Sequence, residues 1–261
     1  MAGSLDREVL YAALVTSGSP WLDVEHHATI GSTNARAALL GAPWHVVVAD
    51  HQSEGRGRLA RTWEAPPGTS VAVSATLPVP AQGPAWMPLL AGLSVAEAVS
   101  SVTGLDTELK WPNDVLLPGD ADRKVCGVLC EVVTGAGDGC VVVGVGINVD
   151  QEREQLPVES ATSLRLAGAA NVDRNRLVVA YLSVLVRWYA SLTGGDEIRL
   201  YDAYRLRCGT IGHEVVLSRP QGADVLGTAV AVDHDGRLVI EGADGRHAWA
   251  AGDVTHVRSA G

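Results

Sequence analysis

Phenylalanine is absent from this chain of 261 residues, lysine occurs only at Lys110 and Lys124, and there are four cysteines. The cysteines show no disulfide spacing, and two lie inside apparent strands, which points to a reducing, cytoplasmic setting. No run of about 18 apolar residues is present, so no membrane span is expected. The start, MAGSLDREVL, lacks a basic region followed by an apolar block, so no signal peptide is expected either. Acidic residues (30) outnumber basic ones (20), and a net charge of −10 argues against general nucleic-acid binding, which needs a basic face. What is present is 47% hydrophobic content, in a length suited to one large domain with a small appendage.

Against that acidic background Gln52–Trp63 (QSEGRGRLARTW) stands out. Gly55 and Gly57 free the backbone to approach a ligand, while Arg56, Arg58 and Arg61 supply fixed positive charge. Gly55–Ala60 formally fits G-x-G-x-x-G/A, but Pro66-Pro67-Gly68 bars the helix that a dinucleotide fingerprint requires, and no acidic residue ends the next strand. A plain solvated basic loop remains as the bland alternative. The two lysines are informative because arginine serves wherever charge alone suffices, and an ammonium is compact where a guanidinium is planar.

In chain order, Leu5–Val15 reads as a short helix and Trp21–Ile30 as a strand. His26 and His27 point to opposite faces of that strand, which argues against a shared metal. Gly31-Ser32-Thr33-Asn34 opens a helix that stops at Gly41; N-capping accounts for these residues as well as ligand contact does. Strands are expected at His45–Gln52, Val71–Leu77, Lys124–Val133 and Cys140–Val149, the last ending in a Gly-rich turn with Asn148 exposed. Met87–Val102 is expected to be an amphipathic helix stopped by Gly104. In Leu109–Leu117 (LKWPNDVLL), Pro112 interrupts a strand and sets Asn113-Asp114 in a turn. Cys126 and Cys130 share a strand face as core residues. Asp173 caps a helix to about Leu192 with a Leu177/Tyr181/Leu185/Trp188/Leu192 stripe, and Glu197–Arg207 makes another. From about Thr210, short apolar runs alternate with turns at Asp235-Gly236 and Asp244-Gly245, as in a small antiparallel barrel or sandwich.

Singly, each of these motifs is common; their order is not. Ser32-Thr33-Asn34, Gln52 with GRGRLARTW, KWPNDV (Lys110–Val115), Lys124-x-x-Gly127 and GVGIN (Gly144–Asn148), followed by a small β domain, resemble the biotin protein ligases, of the type lacking an N-terminal DNA-binding domain. Ala60 departs from the glycine usual there. The resemblance implies an α+β fold: a central mixed or antiparallel sheet with packed helices, like the class II aminoacyl-tRNA-synthetase ligase domain, plus a C-terminal SH3-like β-barrel. It divides the chain into an extension (1–20), a catalytic domain (21–209) and a β domain (210–261).

The implied reaction is ATP-dependent formation of biotinyl-5′-AMP, with Mg²⁺ on the triphosphate. Transfer to a lysine of a biotin carboxyl carrier domain of a biotin-dependent carboxylase follows. By resemblance Ser32, Thr33, Asn34, Gln52, Arg56, Gly57, Arg58 and Gly127 serve biotin. Gly55, Arg56, Arg58, Arg61, Trp63, Lys110, Asn113 and Asn148 serve the nucleotide, with Trp63 near the adenine. Lys124 bridges both, and Asp114 accepts the acceptor lysine's proton. A lipoate ligase or octanoyltransferase is the nearest rival. A biotin-responsive DNA-binding repressor is disfavoured because only about twenty residues precede the first strand, too few for a winged helix-turn-helix. A non-catalytic binding module on the C-terminal barrel leaves the central motifs unused. Monomer and homodimer both suit the sequence.

Overall fold

Chain-local signals become elements largely where the sequence puts them. The computed structural model describes residues 3–134, 139–219 and 221–257. The first helix, α1 (Arg7–Leu14), is capped by Asp6, whose carboxylate accepts the N–H groups of Glu8 and Val9. β1 (Asp23–His27) lies parallel to β2 (His45–Ala49), and α2 (Thr33–Leu40) connects them. Ser32 caps α2 by accepting the Ala35 N–H, and Gly41 ends it at φ 63°, a left-handed conformation that favours glycine. Then follow β3 (Ser70–Pro78), α3 (Met87–Thr103), β4 (Glu108–Lys110), β5 (Asp114–Leu117), β6 (Arg123–Val133) and β7 (Cys140–Asn148). These strands form one mixed sheet in the order β1-β2-β3-β7-β6-β5-β4, antiparallel apart from the first pair.

The strand period of two sorts this sheet into unlike faces. Val71, Val73, Ala75, Cys126, Val128, Val141, Val143, Val145 and Ile147 face the main core with α3 and α4 (Arg174–Thr193). Val47 and Val142 face the other way, against Ala37 of α2. Burial pushes the thiols of Cys126 and Cys130 well above their ordinary range, which keeps them protonated and fits a packing role.

Two expectations fail. The helix α3 is not amphipathic: eleven of its 17 residues are buried, because it is packed between the sheet, α4 and α5 (Glu197–Arg207). The segment Pro84–Thr103 is thus apolar enough on average to cross a membrane, although Ser94 and Glu97 break its run, and most of it is buried inside the fold. Nor do Gly144 and Gly146 make a turn. They lie inside β7, and Asn148 at its end is 6% exposed.

The C-terminal region holds β8 (Glu214–Ser218), β9 (Val225–Val232), β10 (Leu238–Gly242), β11 (Gly245–Trp249) and β12 (Asp253–His256) in an antiparallel sheet ordered β11-β10-β9-β8-β12. Two indoles attach it to the rest: Trp111 Nε1 donates to Gly236 O at 3.0 Å and Trp86 Nε1 to His234 O at 2.7 Å.

A buried ionic centre ties the N-terminal segment to the sheet. Arg174, 1% exposed, donates to Asp50 Oδ1 (2.7 Å), Gly3 O (2.8 Å) and Ser70 O (3.1 Å). Asp50 also accepts the Leu5 N–H and pairs with His26 Nε2. Burial pushes the Asp50 carboxyl up, but the hydrogen bonds from His26, Leu5 and Arg174 outweigh it and hold the group below its ordinary value. Replacing Arg174 with Met leaves the half-buried Asp50 carboxylate with the Leu5 N–H and His26 but without its guanidinium, and we expect a loss of about 1–3 kcal/mol in urea denaturation. Because Asp50 titrates low in the folded chain, its contribution is complete above the ordinary carboxylate range and is lost as pH falls through the lowered value. The difference between R174M and the unsubstituted chain should therefore shrink in acid.

Candidate active site

Across the face of the sheet opposite α3, strand register sets up a strip with little side-chain bulk. Lys110 pairs with Asp114, Asp114 with Gly127, Gly127 with Gly146, Gly146 with Ala72, and Ala72 with Ala49. One step along, Leu129 pairs with Gly144 and Gly144 with Ser74. The glycines are needed for what lies on them. A Cβ on Gly146 would sit 2.4 Å from the Trp63 ring, and one on Gly144 would sit 1.9 Å from Asn34 Oδ1. At Gly127 it would meet Lys124 Nζ and Cε, both at 3.2 Å.

The strip is the floor of an inner cavity of about 280 Å³ lined by Ser32, Thr33, Gln52, Trp63, Lys110 and Lys124, among others. Arg56, Gly57, Arg58 and Arg61 border both this cavity and a larger outer cleft of about 1300 Å³, which reaches α2 on one side and Asp235, Gly236 and Ala250 on the other. The arginine segment, with Trp111, Pro112, Asn113, Val128 and Leu129, therefore forms the partition between an inner chamber and an outer mouth.

The geometry of the partition follows from its own sequence. Gly57 N donates to Arg61 O at 2.7 Å and Trp63 N to Gly55 O at 2.8 Å, making a tight hairpin-like loop. At Gly55 a Cβ would lie 2.3 Å from Trp63 O, so glycine is required there; Gly57 faces only ordinary contacts. Leu59 sits at φ 53°, an uncommon conformation for leucine. All three arginines are held. Arg56 meets Glu131 Oε2 at 3.3 Å, and Arg58 donates to Asn113 Oδ1 at 2.8 Å and Gly252 O at 3.3 Å. Arg61 pairs with Asp253 of β12.

Charge inside the chamber is concentrated at the hairpin of β4 and β5. Lys124 Nζ lies 2.6 Å from Asp114 Oδ1. Burial pushes the Lys110 amine below its ordinary value, while Asp114 and Asp253 pull it back up. Asn113 is fixed by donating to Val128 O at 2.8 Å. Opposite, the start of α2 makes a polar pocket: Thr33 N and Oγ1 both donate to Gln52 Oε1, at 2.8 and 2.9 Å. Ser74 Oγ lies 2.8 Å from Thr33 Oγ1 and 2.6 Å from Asn34 Oδ1, with one proton for two acceptors.

Fifteen of the sequence-selected residues thus line one or both cavities: Ser32, Thr33, Asn34, Gln52, Gly55, Arg56, Gly57, Arg58, Arg61, Trp63, Lys110, Asn113, Asp114, Lys124 and Gly127. Asn148 is not among them; its amide donates to Thr162 O and accepts from Gln151 Nε2, so it fastens the end of β7. Trp63 lies on the floor of the inner chamber with the polar pocket, and its indole N–H is buried without a partner. Sequence reading missed Glu131, Asp253 and Ser74. Ser74 and Glu131 lie on the same sheet face as the glycines and are reachable by strand periodicity, whereas Asp253 comes from a distant sheet that no local pattern connects. Among the described residues, no group of three or more His, Cys, Asp or Glu side chains could hold a metal.

Comparison with known proteins converges on one group. Residues 36–148 match the Biotin/lipoate A/B protein ligase family, and residues 210–257 match the Biotin protein ligase C terminal domain. The biotin--[acetyl-CoA-carboxylase] ligase of Mycobacterium tuberculosis is 37% identical over 97% of this chain and 96% of its own length. The bifunctional ligase/repressor BirA of Bacillus subtilis is 32% identical over 84% of this chain and 70% of its own. The solved biotin protein ligase from Aquifex aeolicus in complex with biotin and ATP superposes with a TM-score of 0.78 at 27% identity, covering 90% of this chain and 99% of that one.

Substituting Asp253 with Asn removes the charge that pairs with Arg61. Hydrogen exchange of residues 56–62 is expected to quicken about two- to fivefold, the range of a partly exposed ion pair, with the melting temperature barely moved. Unchanged exchange would mean that β12 does not restrain the loop.

Proposed function

The chain belongs to the biotin protein ligase family, and on that premise we propose how its residues carry the family reaction. It activates biotin with ATP to biotinyl-5′-AMP and passes the biotinyl group to a lysine of an acceptor protein. The acceptor we propose is a biotin carboxyl carrier domain, in line with the acetyl-CoA carboxylase named for its Mycobacterium tuberculosis relative. The catalytic unit is taken as residues 21–209 and the β unit as 210–261, with 1–20 as an extension; residues 1–2 and 258–261 lie outside the described residues. Four free cysteines favour a reducing, cytoplasmic setting.

One observation carries the site assignment: an ammonium, Lys124 Nζ, lies over the bare glycine floor at Gly127 in a chamber whose wall carries further cations, Arg56 and Arg58 among them. In the first step a biotin carboxylate oxygen attacks the α-phosphorus and pyrophosphate departs. Both partners are anions, so neutralisation and alignment are the chief requirement. Lys124 stands between the carboxylate and the phosphoryl oxygens, while Arg56 and Arg58 neutralise phosphate. Mg²⁺ would enter with the triphosphate and neutralise its charge there.

The ureido ring of biotin offers two N–H donors and a carbonyl. Its donors suit Thr33 Oγ1 and Asn34 Oδ1, which share the single Ser74 proton. The product is a mixed anhydride that water destroys, and the arginine partition between chamber and mouth shields it. In the second step the acceptor lysine enters by the outer cleft, loses a proton to Asp114, and its nitrogen attacks the acyl carbon as AMP leaves.

Incubation with biotin, ATP and Mg²⁺ should yield biotinyl-AMP and pyrophosphate, with lipoate or octanoate failing to compete. Lys124→Ala should fold yet lose adenylate formation by at least about 100-fold; near-normal pyrophosphate release would exclude the assigned role. Arg58→Gly removes the bonds to Asn113 and Gly252, so adenylate should leak and label bystander lysines above the unsubstituted level. Bystander labelling no higher than that level would refute the shielding role.

A further inference from the structure

Glu131 is the third residue of the Gly127–Leu129–Glu131 face of β6, beyond the residues assigned to the reaction. Its side chain is 35% exposed, and one carboxylate oxygen, Oε2, takes two donors: Asn34 Nδ2 at 2.7 Å and Arg56 at 3.3 Å. The two donors differ sharply in freedom. Asn34 is 5% exposed, caught between Ser74 and the Leu129 carbonyl and pressed on Gly144, where no Cβ would fit. Arg56 is half exposed on the partition loop.

A rigid strand and a locked amide therefore present a fixed anion to the first cation of the loop. The contacts form a circuit: Gln52 at the root of the loop meets Thr33, Thr33 meets Ser74, Ser74 meets Asn34, Asn34 meets Glu131, and Glu131 meets Arg56. Both ends of Gln52–Arg56 are thereby pinned to the polar pocket.

We propose that Glu131 is a positioning residue of the ligase reaction. It tethers Arg56 by one edge of its guanidinium so that the remaining N–H groups face the chamber, and it joins the placement of the partition to the pocket at the start of α2. A tether of this kind is best made by a carboxylate, because a neutral oxygen would serve Asn34 equally but hold a guanidinium less firmly. The inference rests on the proposed function for its effect on adenylate, but the tether itself stands on geometry alone.

Glu131→Gln separates the two donors, since glutamine keeps an oxygen for Asn34 and drops the charge. Two readouts are needed. The first is limited trypsin cleavage after the loop arginines Arg58 and Arg61, without substrates; the second is escape of preformed biotinyl-AMP. Both should rise about two- to fivefold at low salt, as suits a half-exposed pair, and the difference should shrink in high salt. In an Arg56→Ala background the same substitution should change neither. Equal cleavage and escape in E131Q and the unsubstituted chain would overturn the proposal. So would an E131Q effect that persists undiminished beside R56A, which would mean that Glu131 acts through Asn34 alone. A failure of the unsubstituted enzyme to form adenylate would instead count against the functional reading, and the protease arm would still decide the tether.

Discussion

Everything at the site depends on a stretch of sheet that carries no side chains. Gly127, Gly144 and Gly146 leave a shallow trench between β6 and β7, and three functional groups occupy it: the Lys124 ammonium, the Trp63 indole and the Asn34 amide. The trench costs the sheet some intrinsic strength, since glycine loses more backbone entropy on folding and packs nothing. The opposite face offsets this with an unbroken layer of Val141, Val143, Val145 and Ile147 against the main core. One strand thus serves as hydrophobic support on its odd residues and as an active-site floor on its even ones.

A second dependence runs between the two sheets. Trp111 is buried in the hairpin of β4 and β5, donates its backbone N–H to Thr210 Oγ1 and its indole N–H to Gly236 O, and so seats the C-terminal sheet against the residues flanking Lys110. From there Gly252 and Asp253 reach Arg58 and Arg61. The C-terminal sheet therefore supplies part of the frame that holds the arginine partition. His256, packed in the same junction, is pushed down to about 4 by burial and by the nearby Lys110 and His213, so it stays neutral and adds no charge at neutral pH.

Local patterns made much of this legible from sequence. Capped helices such as α2 and α4 and the Pro-interrupted KWPND hairpin follow from residues close in the chain. What escaped was tertiary. The even side of β7 reads as a Gly-rich turn in one dimension, and only pairing with β3 and β6 makes it a floor, which also explains why Asn148 is buried rather than exposed. Apolar content all round α3 reads as a one-sided stripe in one dimension, because the helix has neighbours on several sides that periodicity cannot count. The place of the Trp63 ring on Gly146 and Gly127, beside the polar pocket, is likewise set by the hairpin and by sheet pairing rather than by its motif. Asp253 and Glu131 are ordinary acidic residues until the fold brings an arginine to each.

Only two lysines exist in the chain, and both line the inner chamber. Their confinement bears on the protein's own chemical durability. Primary amines attack the acyl carbon of an acyl adenylate, whereas guanidinium stays protonated and is a poor nucleophile. Every other basic side chain of the arginine/lysine class here is arginine, so the exterior carries positive charge without carrying side-chain targets. An enzyme that makes an acylating agent in this way carries its lysine side chains only where the agent is made, inside the chamber.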